Sequence, residues 1–253
     1  MRSVSVDLSR TRAYPSPETS RNRPTYVHVL FGMHRDLSDR RHCNRNGVAM
    51  TIHPIEVESY RRMRAAIDFS SWPDRDRDVV ERMVHATADV EYAETAFVGA
   101  DVVSSTTEAL RNGAAVVTDA HMVRIGLVGV AEVAGVQPVC HLDDVGPATA
   151  DLTRSAAAIR FGAQRHPVGA VFVIGNAPTA LFELLALCRA GTVKPASIIG
   201  LPVGFVGATE SKQELLDSAW RSICVTNHGR KGGSAVAAAS MNALVRLCRQ
   251  DPL

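Results

Sequence analysis

The sequence predicts an α/β fold in three layers, with a largely parallel sheet that has helices on both faces. The first observation is a repeated unit, in which a short apolar strand is followed by a turn or loop containing glycine and then by a helical pattern. The strands of this unit are Val171–Gly175, Ser197–Leu201 and Ser222–Thr226. Their starts lie roughly 25 residues apart, which suits strand–helix alternation in a parallel sheet. Ligands of such sheets bind beyond the carboxyl ends of the strands, so all three loops are expected at one edge.

The first unit runs from Val171 to Leu187. Asn176 is predicted to cap the helix, because its side chain can accept hydrogen bonds from first-turn N–H groups. Pro178 suits the first helical turn, where its missing donor costs nothing. Free N–H groups and the positive end of the helix dipole then point at one spot, which favours a carboxylate or phosphate.

Two further loops follow the second and third strands. Residues 202–208 precede a predicted helix over Thr209–Trp220, and residues 227–233 precede one over Ser234–Cys248. The third loop is basic and rich in glycine, a composition typical of an anion-binding turn. Its candidate ligand-binding residues are Gly229, Arg230, Lys231, Gly232, Gly233 and Ser234. Glycine turns between strands and helices are common, so this pattern alone also fits a purely structural loop.

The chain before these units alternates helical and strand patterns. Helices are predicted over 54–67, 76–87, 107–112 and 151–161, and strands over 114–118 and 136–141. In the second helix an apolar stripe recurs at helical spacing, and His85 follows it by one position. Arg82 lies three residues before His85, so the two side chains share one face of this helix. A lone histidine in this position is more often packed than catalytic, and Arg82, Arg154 and Ser59 also fit solvated surface positions.

Composition narrows the function classes. The 253 residues carry a net charge of only +2, so no overall field points to nucleic acid. No apolar run approaches the roughly 20 residues that cross a bilayer. The five cysteines are scattered, and no spacing typical of metal ligands is present. We therefore expect a cytoplasmic enzyme that binds neither nucleic acid nor membrane and holds no metal.

The chain divides at about Met50. Residues 1–49 are a mix of Arg, Ser, Pro and Asn without a sustained period, which predicts a disordered extension or a start codon assigned too early. Four acidic residues in this segment argue against a transit peptide. Residues 50–253 are predicted to form the functional domain.

Eight short blocks, in order, resemble the precorrin-8X methylmutase family of cobalamin biosynthesis, including its cobalt-precorrin-8 branch. They are Arg82-Met-Val-His85, Thr118-Asp119-Ala-His-Met122, Thr153-Arg-Ser-Ala-Ala-Ala158, Ile174-Gly-Asn-Ala-Pro-Thr-Ala-Leu181, Lys194-Pro-Ala196, Gly200-Leu-Pro-Val-Gly-Phe-Val-Gly-Ala208, Glu210-Ser-Lys212 and Gly229-Arg-Lys-Gly-Gly-Ser-Ala235. The resemblance covers residues 54–247. Each block is weak alone, but their order makes the set specific.

The resemblance implies a homodimeric α/β isomerase that needs no cofactor and has its active site near the subunit interface. Family members move a methyl group from C-11 to C-12 of a ring-contracted tetrapyrrole, giving hydrogenobyrinate or its cobalt analogue, cobyrinate. The family's catalytic histidine corresponds to His85. Its substrate-binding arginines correspond to Arg82 and Arg154, and its serine on the preceding helix corresponds to Ser59. The carboxylates of the substrate would also suit Asn176 and the basic loop over 229–234.

The chain departs from the family pattern in two segments, and two alternative functions remain open. Residues 1–49 have no counterpart in the family pattern, and residues 86–89 (Ala-Thr-Ala-Asp) are closer to the cobalt branch. The repeated units also suggest a nucleotide-binding enzyme, although no G-x-G-x-x-G with a following ribose-binding acid is present. A corrinoid-binding protein without catalysis is the other alternative, which a His85 buried away from the loop edge would favour.

Overall fold

The computed structural model describes residues 53–249. The predicted N-terminal extension, residues 1–49, lies outside the described residues. The helices are α1 Pro54–Ala66, α2 Asp74–Thr87, α3 Tyr92–Thr95, α4 Val102–Arg111, α5 His121–Gly126, α6 Val130–Ala134, α7 Arg154–Arg165, α8 Pro178–Arg189, α9 Ala208–Leu216 and α10 Ser234–Arg249. The strands are β1 Ala96–Val98, β2 Val116–Thr118, β3 Val139–Cys140, β4 Val171–Ile174, β5 Ser197–Gly200 and β6 Cys224–Asn227.

The strands form one six-stranded sheet in the order β1-β6-β5-β4-β2-β3. Four neighbouring pairs are parallel, and β1 joins β6 antiparallel at the edge. The predicted α/β fold with a largely parallel sheet is confirmed. The carboxyl ends of β2, β4, β5 and β6 therefore meet at one edge, which we call the carboxyl edge.

Helices cover both faces of the sheet. In β4, Val171 and Val173 pack into one apolar cluster, whereas Phe172 and Ile174 pack into another. This division follows from the strand geometry, because successive side chains point to opposite faces. The first cluster includes buried residues of α2, α4 and α10, and the second includes those of α7, α8 and α9. The fold thus has the predicted three layers.

The structure differs from the sequence-based prediction mainly in short elements. The sequence does not predict four of the observed elements, because each is too short to show a hydrophobic period. They are helices α3, α5 and α6 and the edge strand β1. Helix α4 begins at Val102, five residues before the predicted start. Helix α7 begins at Arg154, because the Thr153 hydroxyl accepts the Ala156 N–H and caps it there. Each predicted parallel strand still overlaps an observed strand in the sequence.

Within residues 53–249, no helix combines the length and the apolar character that crossing a bilayer requires. In the same part of the chain, no group of three or more His, Cys, Asp and Glu side chains is placed to hold a metal ion.

Candidate active site

The basic loop lies along the carboxyl edge. We call residues 229–234 the glycine loop. It follows β6 and passes over the end of β5, where the Gly233 N–H donates to the Leu201 carbonyl at 2.9 Å. A Cβ atom on Gly232 would lie 2.3 Å from the Pro202 carbonyl oxygen, so only glycine allows this approach. A Cβ on Gly175 would lie 3.0 Å from the Cα of Ser234, which places the end of the loop beside β4.

The turn after β4 does bind a carboxylate, but one from the protein itself. Asp119 is fully buried, and its two oxygens accept the N–H groups of Gly175, Asn176 and Ala177 at 2.8–2.9 Å. Burial raises the pKa of Asp119, and the three backbone donors oppose that shift. This turn therefore offers these N–H groups to Asp119 rather than to a ligand.

The prediction that Asn176 caps the following helix is wrong. The N-cap of α8 is Ala177, and no side chain caps this helix. Asn176 has its own N–H on Asp119 and its side chain exposed to solvent. The side-chain amide is therefore the donor of Asn176 that remains for a ligand carboxylate.

His85 lies in the last turn of α2, where α1 packs against it. The His85 ring stacks on the Tyr60 ring of α1, with the centroids 4.4 Å apart and the planes 2° apart. Arg82 Nη1 lies 3.3 Å from the Tyr60 hydroxyl and 3.5 Å from a Glu56 oxygen. Ser59 is half-buried directly before Tyr60. The structure thus brings Arg82 and His85 together around the Tyr60 side chain, and among residues 53–249 Ser59 forms no hydrogen bond to either of them.

The electrostatic environment of His85 favours its neutral form. Partial burial lowers the pKa of His85 below its ordinary value, and the positive charge of Arg82 lowers it further, whereas Glu56 opposes both. A neutral imidazole near pH 7 presents one N–H donor and one acceptor nitrogen. His85 is half-buried rather than enclosed. It can therefore donate a hydrogen bond to a bound ligand at neutral pH.

Arg82 carries an unused buried donor. Its Nε–H has no hydrogen-bond partner among the described residues. Buried donors in folded proteins are nearly always paired, so an orphan at this position calls for an acceptor. A ligand carboxylate is the acceptor that an arginine binds best.

An ion pair joins this cluster to the glycine loop. Helix α2 ends at Thr87, and Lys231 Nζ lies 2.5 Å from Asp89 and 2.8 Å from Glu91. The last turn of α2, which carries His85, therefore leads directly into a segment that contacts the glycine loop. His85 itself is half-buried and precedes Asp89, which pairs with the glycine loop, by four residues.

Lys212 supports the glycine loop from below. This lysine is 1% exposed, and its Nζ donates to the Asn227 side chain at 2.9 Å and to the Lys231 carbonyl at 2.5 Å. Burial lowers its pKa to about 8. The sequence pattern contained Lys212 in the Glu210-Ser-Lys212 block, but nothing in the sequence alone indicated that its ammonium would reach under the loop.

Arg154 also lies at the carboxyl edge, but apart from the His85 cluster. Its Nη2 donates to the Leu142 carbonyl at 2.7 Å. The hydroxyls of Thr153 and Thr179 lie 2.7 Å apart, which joins the start of α7 to the start of α8 near Asn176. No hydrogen bond among residues 53–249 links Arg154 or Asn176 to the His85 cluster.

Fold and site together define a three-layer α/β protein that carries a basic glycine loop at its carboxyl edge and places Arg82 next to one half-buried histidine. The sequence model described as precorrin-8X methylmutase matches residues 54–247. The precorrin-8X methylmutase of a Sinorhizobium species is 43% identical over 198 residues, which cover 76% of this chain and 93% of the relative. The cobalt-precorrin-8 methylmutase of Priestia megaterium is 36% identical over 201 residues, covering 77% of this chain and 88% of the relative.

A solved structure agrees with these sequence matches. The precorrin-8X methylmutase of Thermus thermophilus superposes with a TM-score of 0.69 at 33% identity, covering 79% of this chain and 100% of that one. The chain belongs to the precorrin-8X methylmutase family, and it is therefore an isomerase of cobalamin biosynthesis.

Proposed function

We propose that this protein moves the methyl group at C-11 of precorrin-8X, or of cobalt-precorrin-8, to C-12 and so forms hydrogenobyrinate or cobyrinate. The observation that carries the proposal is the placement of His85 beside Arg82, whose buried Nε–H has no partner among the described residues. Family membership supplies the class of substrate, because the relatives are methylmutases of these two precorrins by name.

The reaction balances within one molecule. The bond between the methyl carbon and C-11 breaks, the bond to C-12 forms, and the π electrons of the ring shift between these positions. No electrons enter or leave, so the protein has to favour one electronic arrangement of the macrocycle. A hydrogen bond from His85, or a proton shared with it, would stabilise the charge that develops on the ring.

The substrate's acetate and propionate groups require cations and donors around the ring. We propose that Ser59, Arg82, Arg154 and the Asn176 side chain bind them together with the glycine loop, residues Gly229, Arg230, Lys231, Gly232, Gly233 and Ser234. Two of these contacts carry a condition. The Gly233 N–H already donates to Leu201, so Gly233 would contribute close backbone approach instead of a hydrogen bond. Lys231 would have to exchange Asp89 or Glu91 for a substrate carboxylate.

The experiment is to incubate the purified protein with each precursor and record the absorption spectrum without added cofactor. We expect the spectrum to change to that of the rearranged product at catalytic enzyme concentration. A spectral change that stops at one equivalent of ligand per protein would instead show a corrinoid-binding protein without catalysis. The ratio of kcat/KM values for the two precursors would then assign the chain to one branch.

We also propose a homodimer, because the family pattern places the active site near a subunit interface. Light scattering at the working concentration of the assay should give twice the chain mass of 27.2 kDa. A fully active monomer would contradict this expectation.

The described cysteines (Cys140, Cys188, Cys224 and Cys248) are free thiols, which supports a reduced, cytoplasmic environment.

Residues 1–49 are proposed to be dispensable. The family match begins at residue 54, and every site residue named above lies after it. A chain that starts at Met50 should have the same Tm and the same turnover number as the full chain, measured side by side. A fall of several degrees in Tm after truncation would show that the extension packs on the domain.

A further inference from the structure

The loop between β5 and α9 presents two apolar side chains to solvent. Phe205 is 87% exposed and Val206 is 88% exposed. An exposed aromatic ring lacks the stabilisation that burial would provide. Adjacent exposed apolar residues of this kind are typical of surfaces that bind a ligand or a partner.

The conformation of this loop is fixed at both ends. Gly204 has a φ of 151° and Gly207 a φ of 80°, so the two glycines bracket Phe205 and Val206 with backbone that other residues rarely adopt. A Cβ on Gly207 would lie 3.2 Å from Pro178, which places the base of the loop against the first turn of α8. The exposed pair therefore occupies a defined place on the carboxyl edge.

The apolar pair stands next to the glycine loop. The Gly204 N–H donates to the Arg230 carbonyl at 3.3 Å, and the Arg230 guanidinium lies over the Phe205 ring, 5.7 Å from its centroid. Among the described residues, Arg230 forms no ion pair. An aromatic ring and an unpaired guanidinium thus adjoin each other at the edge that carries the proposed site.

We propose that Phe205 and Val206 form a platform for the apolar face of the tetrapyrrole ring, while Arg230 binds a carboxylate at the ring's periphery. This inference rests on the proposed function and adds residues that contact the macrocycle itself. The combination matches the ligand, because a corrin precursor is a broad apolar ring surrounded by carboxylates. A second copy of the chain could also bury Phe205 and Val206. The adjacent Arg230 has no ion-pair partner among the described residues, however, and an anionic ligand such as the substrate would provide one.

The test compares binding of hydrogenobyrinate or cobyrinate to four variants of the full chain. Phe205→Ala should raise the Kd by about 10-fold or more, and Phe205→Leu, which keeps apolar area, should raise it less. Val206→Ala should weaken binding, whereas Val168→Ala should not. Val168 is the matched control, since it is 73% exposed just before β4, at the opposite edge of the sheet.

Turnover, Tm and molecular mass are measured on the same samples. Unchanged Kd in Phe205→Ala would overturn the platform while leaving the proposed function intact. If Phe205→Ala lost affinity and its molecular mass in solution also halved, the platform would be overturned too. Phe205 and Val206 would then belong to an interface between copies of the chain. If the wild-type chain neither binds nor converts a tetrapyrrole, the platform falls together with the proposed function, and wild-type turnover identifies that case.

Discussion

Replacement of His85 by alanine is expected to lower kcat by at least about 100-fold while the protein still folds and still binds the tetrapyrrole. General acid–base groups typically contribute about 100-fold to 10,000-fold. The substrate's carboxylates would be held by Arg82, Arg154 and the glycine loop, so affinity should change little. A loss confined to kcat and kcat/KM is the mark of an interaction made in the transition state.

Two further variants separate the possible roles of the His85 ring. His85→Asn keeps a hydrogen-bond donor, so substantial recovery of rate would show that a hydrogen bond suffices. Tyr60→Phe is the matched control, since it keeps the ring that stacks on His85 and removes only the hydroxyl 3.3 Å from Arg82. Near wild-type turnover in His85→Ala would contradict the catalytic assignment.

The pH profile of kcat/KM tests the same residue without changing it. Burial and Arg82 lower the pKa of His85, so the free enzyme holds a neutral ring at neutral pH and protonates it only in more acidic solution. If the neutral ring is the active donor, kcat/KM should be level near pH 7 and fall as the pH drops through that lowered pKa. His85→Asn should remove this fall.

Replacement of Asp119 by alanine is expected to lower the free energy of unfolding by about 3 kcal/mol or more. The change would leave the buried Gly175 N–H and the part-buried N–H groups of Asn176 and Ala177 without their acceptor, and each buried donor left unsatisfied costs about 1–3 kcal/mol. The turn that they belong to joins β4 to α8 and packs against Ser234 through Gly175. Urea unfolding followed by circular dichroism would measure the loss.

Controls for Asp119 are available in the same chain. Asp119→Asn keeps one acceptor oxygen of two, so we expect an intermediate loss. Asp151→Ala removes an exposed carboxylate and should change the free energy of unfolding by less than about 0.5 kcal/mol. If Asp119→Ala were as stable as Asp151→Ala, the buried carboxylate would not be what holds the turn.

Much of the fold follows from local sequence. The apolar runs that begin at Val171, Ser197 and Ser222, each followed by a turn and a helical pattern, predict parallel strands with loops on one edge. The structure has parallel strands there, the third of them beginning at Cys224. The same reasoning misses β1, because three residues carry no period and this strand depends on pairing with β6, more than 120 residues later.

The turn after β4 shows where local reasoning stops. Its composition correctly predicts an anion-binding turn, but it cannot indicate that the anion is Asp119, 56 residues earlier. Lys212 is a similar case, since its contacts to Asn227 and Lys231 depend on how α9 packs beside β6. Long-range partners of this kind are set by tertiary packing, which single-sequence patterns do not contain.

The most direct measurement is to follow a labelled methyl group through the reaction. Precorrin-8X, or its cobalt form, would carry ¹³C in the methyl group at C-11, and the product would be examined by NMR after conversion by the purified chain. We predict that the label appears on C-12 in full, with no exchange into unlabelled substrate added to the same reaction. A product with its label still on C-11, or a label shared between molecules, would contradict intramolecular methyl migration by this protein.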